Sequence, residues 1–289
     1  MQALRATAQQ GSQWFGRGWH IFRRQPFAIL SLTILYMISL PLLSFIPVLG
    51  PILGFALIPA FTFGFMEISR LLSLQTSTPA PAQAPENATL RILPTALFAA
   101  FMIDSQTRRR FIVLGVWYVI GVAIAIGLSG LADGGTLIRS FILGEPLTEK
   151  QIMSGELILP LLVVIVAYVP VWLSFWYAPA LMVWEKLLPA KALFFSLVAA
   201  WRNKAAFTLY GLVSLGWLIL VQVLAGLAVG LLGEQIGALL AMPFTLALIA
   251  VWQCSFYPTY VDVFGQPGVT PAVALAAAVN ANDTPNGNE

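Results

Sequence analysis

The fold is decided by long apolar stretches with charged flanks, and residues 201–235 are the clearest example: WRNKAAFTLYGLVSLGWLILVQVLAGLAVGLLGEQ. Arg202 and Lys204 precede an uncharged run from Ala206 to Leu232, and Glu234 follows it. A helix needs about 20 apolar residues to cross the roughly 30 Å hydrocarbon core of a membrane. Transmembrane β-strands are much shorter and alternate in hydropathy. The stretch therefore predicts a membrane-spanning α-helix.

Five further stretches share this character, so the sequence predicts six spans. Hydrophobic residues make up 59% of the 289 residues and charged residues only 9%, whereas soluble domains carry about a quarter charged residues. We therefore expect an all-α polytopic membrane bundle that forms a single domain over residues 1–265. The predicted spans are Phe27–Ile46, Ile52–Leu72, Phe111–Leu131, Leu157–Trp184, Ala206–Leu232 and Ile236–Pro258.

The basic residues are distributed unevenly between the two sides of these spans. Thirteen of the 15 Lys and Arg residues lie before the first span, at the end of the second span (Arg70), or in the connections that follow the second and fourth spans. The connection 132–156 has two basic residues against four acidic ones. Cytoplasmic loops of membrane proteins carry an excess of Lys and Arg. We expect a bacterial inner-membrane protein with both termini in the cytoplasm.

The spans also suggest an internal repeat of three tandem hairpin units, 26–72, 111–184 and 206–264. A proline-led phrase recurs at Pro94–Phe98, Pro189–Phe194 and Pro271–Leu275, and the first two copies precede basic clusters. Such segments predict amphipathic helices that lie in the cytoplasmic interface. The alternative is coincidence, because basic and apolar stretches alternate in any series of membrane hairpins.

Two segments lack the pattern of a packed element. Residues 75–88, rich in Ser, Thr, Pro and Ala, predict a flexible cytoplasmic linker. Residues 276–289 are polar and predict a disordered cytoplasmic tail.

The candidate functional residues are charged groups at the cytoplasmic ends of the spans. Glu67, Glu185 and Asp262 follow a proline late in each even span, where the basic clusters also lie. One hypothesis is a ring of ion pairs that gates a central path. The hypothesis we favour is local pairing at the membrane edge, with the charged groups extended to water. The candidate cations are Arg23, Arg24, Arg70, Arg108, Arg109, Arg110, Arg202 and Lys204.

Chemistry in the middle of the spans has little support from the sequence. No Asp, Glu, Lys, Arg or His lies near the middle of a predicted span, and the candidate intramembrane polar residues are Gln222 and Gln253. Interhelical hydrogen bonding is the simpler role for both. One histidine, His20, and one cysteine, Cys254, give no metal site or catalytic triad. We expect no cofactor, no metal and no enzymatic activity.

Five phrases carry a resemblance to a known family: Gly18-Trp19 with Phe22–Pro26, Pro59–Glu67, Ala178–Leu181, Lys191–Ser196 and Trp201–Lys204. Over residues 14–265 the chain resembles a family of beta-proteobacterial six-span inner-membrane proteins. It is more loosely similar to other six-span bacterial families and to the membrane domain of some glycerophosphodiester phosphodiesterases. The resemblance implies a six-span inner-membrane fold and no particular activity, because the soluble phosphodiesterase domain and its metal ligands are absent from this sequence.

The basic clusters and aromatic segments point to membrane partners. We expect anionic lipids at the cytoplasmic face, and a membrane-protein partner or a second copy of the chain. The basic residues flank spans and form no patch on a soluble domain, so a nucleic-acid partner is not expected. The leading expectation is lipid or partner binding in envelope assembly or scaffolding. The alternative is a small transporter of a lipid-like or hydrophobic substrate.

Overall fold

The computed structural model describes residues 3–47, 49–74, 92–140 and 144–267. Within these ranges the regular elements are helices, together with a 3₁₀ turn at Pro94–Phe98. The helices are α1 (Ala8–Phe22), α2 (Pro26–Ser44), α3 (Leu49–Leu74), α4 (Ala99–Met102), α5 (Ser105–Asp133), α6 (Thr136–Ile138), α7 (Glu149–Met153), α8 (Ile158–Trp184), α9 (Pro189–Arg202), α10 (Lys204–Leu232) and α11 (Glu234–Phe264).

The all-α class and the six spans are confirmed in the described residues. Helices α2, α3, α5, α8, α10 and α11 are each long and apolar enough to cross a membrane. The linker 75–88, the tail 276–289 and the phrase Pro271–Leu275 lie outside the described residues.

Two helices extend beyond the predicted spans for local reasons. Helix α5 begins at Ser105 instead of Phe111 because the Asp104 carboxylate accepts a hydrogen bond of 2.8 Å from the Thr107 backbone amide. This cap satisfies an amide that the first helical turn leaves free. Helix α11 continues through Pro258 to Phe264. A proline inside a span removes one backbone hydrogen bond without ending the helix.

The long helices form three antiparallel hairpins, α2–α3, α5–α8 and α10–α11. Odd spans begin, and even spans end, at the same end of the bundle. The Arg24 guanidinium, before α2, donates to the Leu72 carbonyl near the end of α3. We call this the basic end, because the basic residues that precede the odd spans lie there.

Three further segments pack at the basic end. The segment Pro94–Met102 packs against α3, α9 packs against α8, and α1 packs against α10 and α11. Pro94–Met102 and α9 thus each contact the even span of the hairpin that precedes them in the chain. Helix α1, which precedes the first hairpin, packs on the last hairpin. Close approach requires glycine at Gly11, where a Cβ atom would overlap the Ala206 backbone.

The packed core lies toward the basic end. Phe63 of α3, Tyr177 of α8 and Tyr260 of α11 are fully buried there. In the opposite halves of the spans Leu131, Val166 and Leu231 are at least 70% exposed. Apolar side chains exposed in this way are stable only in an apolar surrounding such as lipid. The bundle is therefore tightly packed at one end and exposes apolar side chains at the other.

Candidate functional site

An ion pair is buried inside the basic end. The Arg70 Nη2 atom lies 2.6 Å from Glu67 Oε1, and Arg70 Nε lies 2.9 Å from Glu67 Oε2. The two side chains are 1% and 3% exposed. Trp184 Nε1 donates to Glu67 Oε2 at 2.9 Å, and the Arg70 guanidinium lies 5.9 Å from the centre of the Trp184 ring. Local pairing with Arg70 was expected, but extension of these groups to water was wrong.

The contacts continue from Trp184 to the second carboxylate. The Trp184 and Tyr260 rings meet edge to face with centroids 4.6 Å apart. The Tyr260 hydroxyl lies 3.2 Å from Glu185 Oε1, to which it donates. Glu67 and Glu185 are thus joined through one tryptophan and one tyrosine. This assembly ties together α3, α8 and α11 at the basic end.

Asp262 has different partners from those the sequence suggested. Trp14 Nε1 donates to Asp262 Oδ2 at 2.8 Å, and Arg17 Nη1 donates to Oδ1 at 3.0 Å. Arg17 Nη2 also forms an ion pair with Asp262 Oδ2. Arg17 was not among the candidate cations, because its partner lies 245 residues further along the chain. Its proximity follows from the packing of α1 on α11.

The remaining candidate cations mostly face outward. Arg23, Arg24, Arg108, Arg109, Arg202 and Lys204 are exposed, and Arg110 is half-buried. The Lys204 ammonium lies 5.7 Å from the centre of the Trp201 ring. Within the described residues the three carboxylates therefore do not share one ring of ion pairs with these cations. The outward cations give the basic end a positive surface.

Asn203 is a structural polar residue that the sequence analysis did not single out. It is 2% exposed, and its Oδ1 accepts a hydrogen bond of 2.7 Å from the Ala6 amide. Its Nδ2 donates to the Leu4 and Ala199 carbonyls. Asn203 thereby fixes the chain before α1 to the junction of α9 and α10. In the sequence Asn203 stands between Arg202 and Lys204, and this pattern does not indicate a structural role.

A half-open cavity of about 210 Å³, the central cavity, lies between α2, α3, α5, α8 and α11, beyond the packed core. Tyr118 and Tyr168 share a hydrogen bond of 2.5 Å between their hydroxyl groups. Gln253 is 7% exposed, and its Oε1 atom has no hydrogen-bond partner. Gln222, the other candidate, is exposed on α10. Residues that line the central cavity include Tyr36, Tyr118, Tyr168, Trp172, Trp252 and Gln253.

A second space, the α1 groove, lies on the outside of the bundle between α1, α10 and α11. It has a volume of about 440 Å³. Phe15 and Trp217 stack along it with ring centroids 5.9 Å apart. Lining residues include Phe15, Gly16, Trp19, Trp217, Phe244 and Leu248. The side chains that line the groove are apolar apart from Ser12.

Six apolar helices with a cationic end define the chain as a polytopic α-helical membrane protein. It is 36% identical over 281 residues to a probable inner membrane protein of Burkholderia thailandensis, an alignment that covers 93% of this chain and 96% of that protein. The chain belongs to the family of this inner membrane protein. No protein-family model and no solved structure matches the chain, so the likeness to phosphodiesterase membrane domains has no support.

Proposed function

We propose that this protein is a non-enzymatic inner-membrane protein that binds anionic lipid, and beside it partner membrane proteins, in envelope assembly or scaffolding. The observation that carries the proposal is the α1 groove. Its apolar lining suits an acyl chain, and its volume of about 440 Å³ falls within the roughly 300–1,000 Å³ of ligand pockets.

Charge favours an anionic head group on that acyl chain. Arg202 and Lys204 are exposed at the start of α10, the helix that also supplies Trp217 to the groove. Cations near a membrane surface attract anionic lipids by about 1 kcal/mol each. Phosphatidylglycerol is therefore the lipid that we expect to occupy the groove.

Replacing Gly16 with leucine is expected to reduce the amount of bound lipid several-fold. Gly16 lines the α1 groove, and a Cβ atom there meets nothing within 4 Å. A leucine side chain fills this open space without a clash and occupies volume that an acyl chain would need. Mass spectrometry of the purified protein measures the phosphatidylglycerol retained per chain.

Gly211→Leu is the matched control. Gly211 is exposed on α10, has nothing within 4 Å of a Cβ position, and does not line the groove. It should retain lipid as the unchanged protein does. Equal retention in the Gly16 and Gly211 variants would overturn the assignment of lipid to this groove. Loss of a copurifying membrane protein in the Gly16 variant, with lipid unchanged, would assign the groove to a protein partner instead.

The proposal requires that the basic end of the bundle lies in the cytoplasm. Alkaline phosphatase is active only after export, so a fusion after Glu145 is expected to be active and one after Gln83 inactive. The physical reason is the excess of Lys and Arg at the basic end. Activity of the Gln83 fusion alone would reverse the topology and remove the cytoplasmic interfacial helices from the proposal.

The alternative function is a small transporter of a lipid-like or hydrophobic substrate. It is favoured by one observation, the half-open central cavity, which lies between several spans. The buried Glu67–Arg70 pair lies inside the basic end, further along α3 than Thr62 of the cavity lining, so a path from the cavity along α3 to that end would have to pass the pair. Movement of a fluorescent lipid across reconstituted vesicles would support transport, whereas binding without movement supports the scaffold.

A further inference from the structure

Helix α10 is the most peripheral of the six spans. No residue in its most apolar stretch of 18 residues is buried within the bundle, whereas half of the residues in the corresponding stretch of α3 are buried. The main neighbours of α10 are α11 and, at the basic end, α1. The outward side of α10 therefore faces the membrane or another chain.

Gln222 is an exposed polar residue on this outward side. It lies about 27 Å along the helix from Lys204 and about 18 Å from Glu234, at a rise of about 1.5 Å per residue. These distances place the amide within the hydrocarbon core, where no water is available and an unpaired amide is costly. Among the described residues, none forms a hydrogen bond with the Gln222 side chain. The amide therefore needs a partner from outside the chain.

Two glycines share the helix face of Gln222. Gly226 and Gly230 follow it at intervals of four residues, a spacing that places residues on one side of a helix. Both glycines are exposed, and a Cβ atom at either position would meet nothing within 4 Å. Contacts among the described residues therefore do not require glycine at these positions. Glycines four residues apart in a membrane helix allow a second helix to approach closely.

The chemistry of the Gln222 side chain indicates which partner fits. A primary amide carries both donors and an acceptor, so the same amide from a second copy can satisfy it. Two copies inserted in the same orientation are related by a twofold axis along the membrane normal, which brings the same surface of each chain together at the same depth. The run from Ala206 to Leu232 carries no charge, so two copies of α10 meet in the membrane without repulsion.

We propose that the protein forms a twofold dimer through α10, in which the Gln222 amides of the two copies hydrogen-bond to each other and Gly226 and Gly230 allow the helices to approach. The interhelical hydrogen bond predicted for Gln222 is thus formed between two chains. Trp217, which lines the α1 groove, lies about 140° from Gln222 around the helix. The dimer therefore does not depend on the lipid proposed for that groove.

The test measures energy transfer between donor-labelled and acceptor-labelled copies of the full-length protein in phosphatidylcholine vesicles. The label is attached to Glu149→Cys, because Glu149 is exposed and the natural cysteine, Cys254, is buried. Dilution with lipid is expected to reduce the transfer along the curve of a monomer–dimer equilibrium. Added phosphatidylglycerol should leave that curve unchanged, which separates this result from the outcome of the lipid test.

Two variants and one control make the test specific. Gln222→Leu is expected to weaken the dimer about tenfold, as the loss of two interhelical hydrogen bonds in a membrane does. Gly226→Leu should weaken it at least as much, because the leucine side chains hold the helices apart while each chain still folds. The control combines Gln222→Leu with Leu224→Gln, at a position that is 56% exposed and about 200° around the helix. This control keeps the composition of α10 and should associate no better than Gln222→Leu alone.

Several results would overturn the dimer. They are transfer no greater than that expected for randomly distributed monomers, equal association of the unchanged protein and Gln222→Leu, and recovery of association in the control with glutamine at position 224. Loss of a copurifying membrane protein from the Gln222→Leu variant, without self-association of the unchanged protein, would assign this face of α10 to a different protein.

Discussion

Glu67→Gln is expected to lower the free energy of unfolding by about 3–5 kcal/mol, the usual cost of removing one partner from a buried ion pair. Arg70 is 1% exposed, and both hydrogen bonds that its guanidinium donates within the ion pair are accepted by Glu67. The glutamine side chain keeps the volume and an acceptor for Trp184 but removes the negative charge. A titration with sodium dodecyl sulfate in mixed micelles, followed by circular dichroism, measures the change.

Two further variants separate the effect of the ion-pair charges on stability from the effect of the surrounding packing. The double change Glu67→Met with Arg70→Met removes both charges, and we expect it to be less destabilising than Glu67→Gln alone, because no unpaired charge remains. Glu185→Gln is the matched single change at a half-buried carboxylate with one tyrosine donor. It should cost about 1 kcal/mol or less, because the amide oxygen still accepts from Tyr260 and only the charge on the acceptor is lost.

A small effect of Glu67→Gln would contradict the buried position of the pair. A loss of about 1 kcal/mol or less is typical of exposed ion pairs. It would return Glu67 to the membrane edge, where the sequence analysis had placed it. A double variant that is less stable than Glu67→Gln would show that packing, and not charge compensation, dominates at this site.

The spans could be predicted from sequence because the membrane imposes a local rule. Each span must supply about 20 apolar residues in one run, so Ala206–Leu232 is recognisable without knowledge of any neighbour. The spacing of Glu67 and Arg70 is also local, since side chains three residues apart share a helix face. Both predictions needed only a short window of sequence.

The depth of the same pair could not be predicted, because distant residues determine it. Trp184 lies 117 residues from Glu67 in the chain and covers the pair from α8. Similarly, Arg17 meets Asp262 only because α1 packs on the last hairpin. Hydropathy and charge patterns along the sequence do not indicate which distant residues are in contact. Tyr118 and Tyr168 were missed for the same reason, since each resembles an ordinary aromatic residue of a span.

Gly11→Ala is expected to destabilise the protein by about 2–3 kcal/mol, although alanine is normally the better helix former. A Cβ atom at Gly11 would overlap the Ala206 carbonyl group, which belongs to the backbone of α10 and cannot rotate away. Overpacking of a close contact costs about 1–3 kcal/mol and occasionally more. Displacement of α1 would also strain the contacts of Trp14 and Arg17 with Asp262.

Gly16→Ala is the matched control for Gly11→Ala. The same substitution in the same helix should change the free energy of unfolding in the opposite direction. Gly16 has nothing within 4 Å of a Cβ position, so alanine there should stabilise the protein by up to about 1 kcal/mol through helix propensity alone. The unfolding free energies of both variants are measured in the same micelles. If both changes stabilise the protein, α1 does not pack closely on α10. If both destabilise it, the loss arises from α1 itself and not from the contact with Ala206.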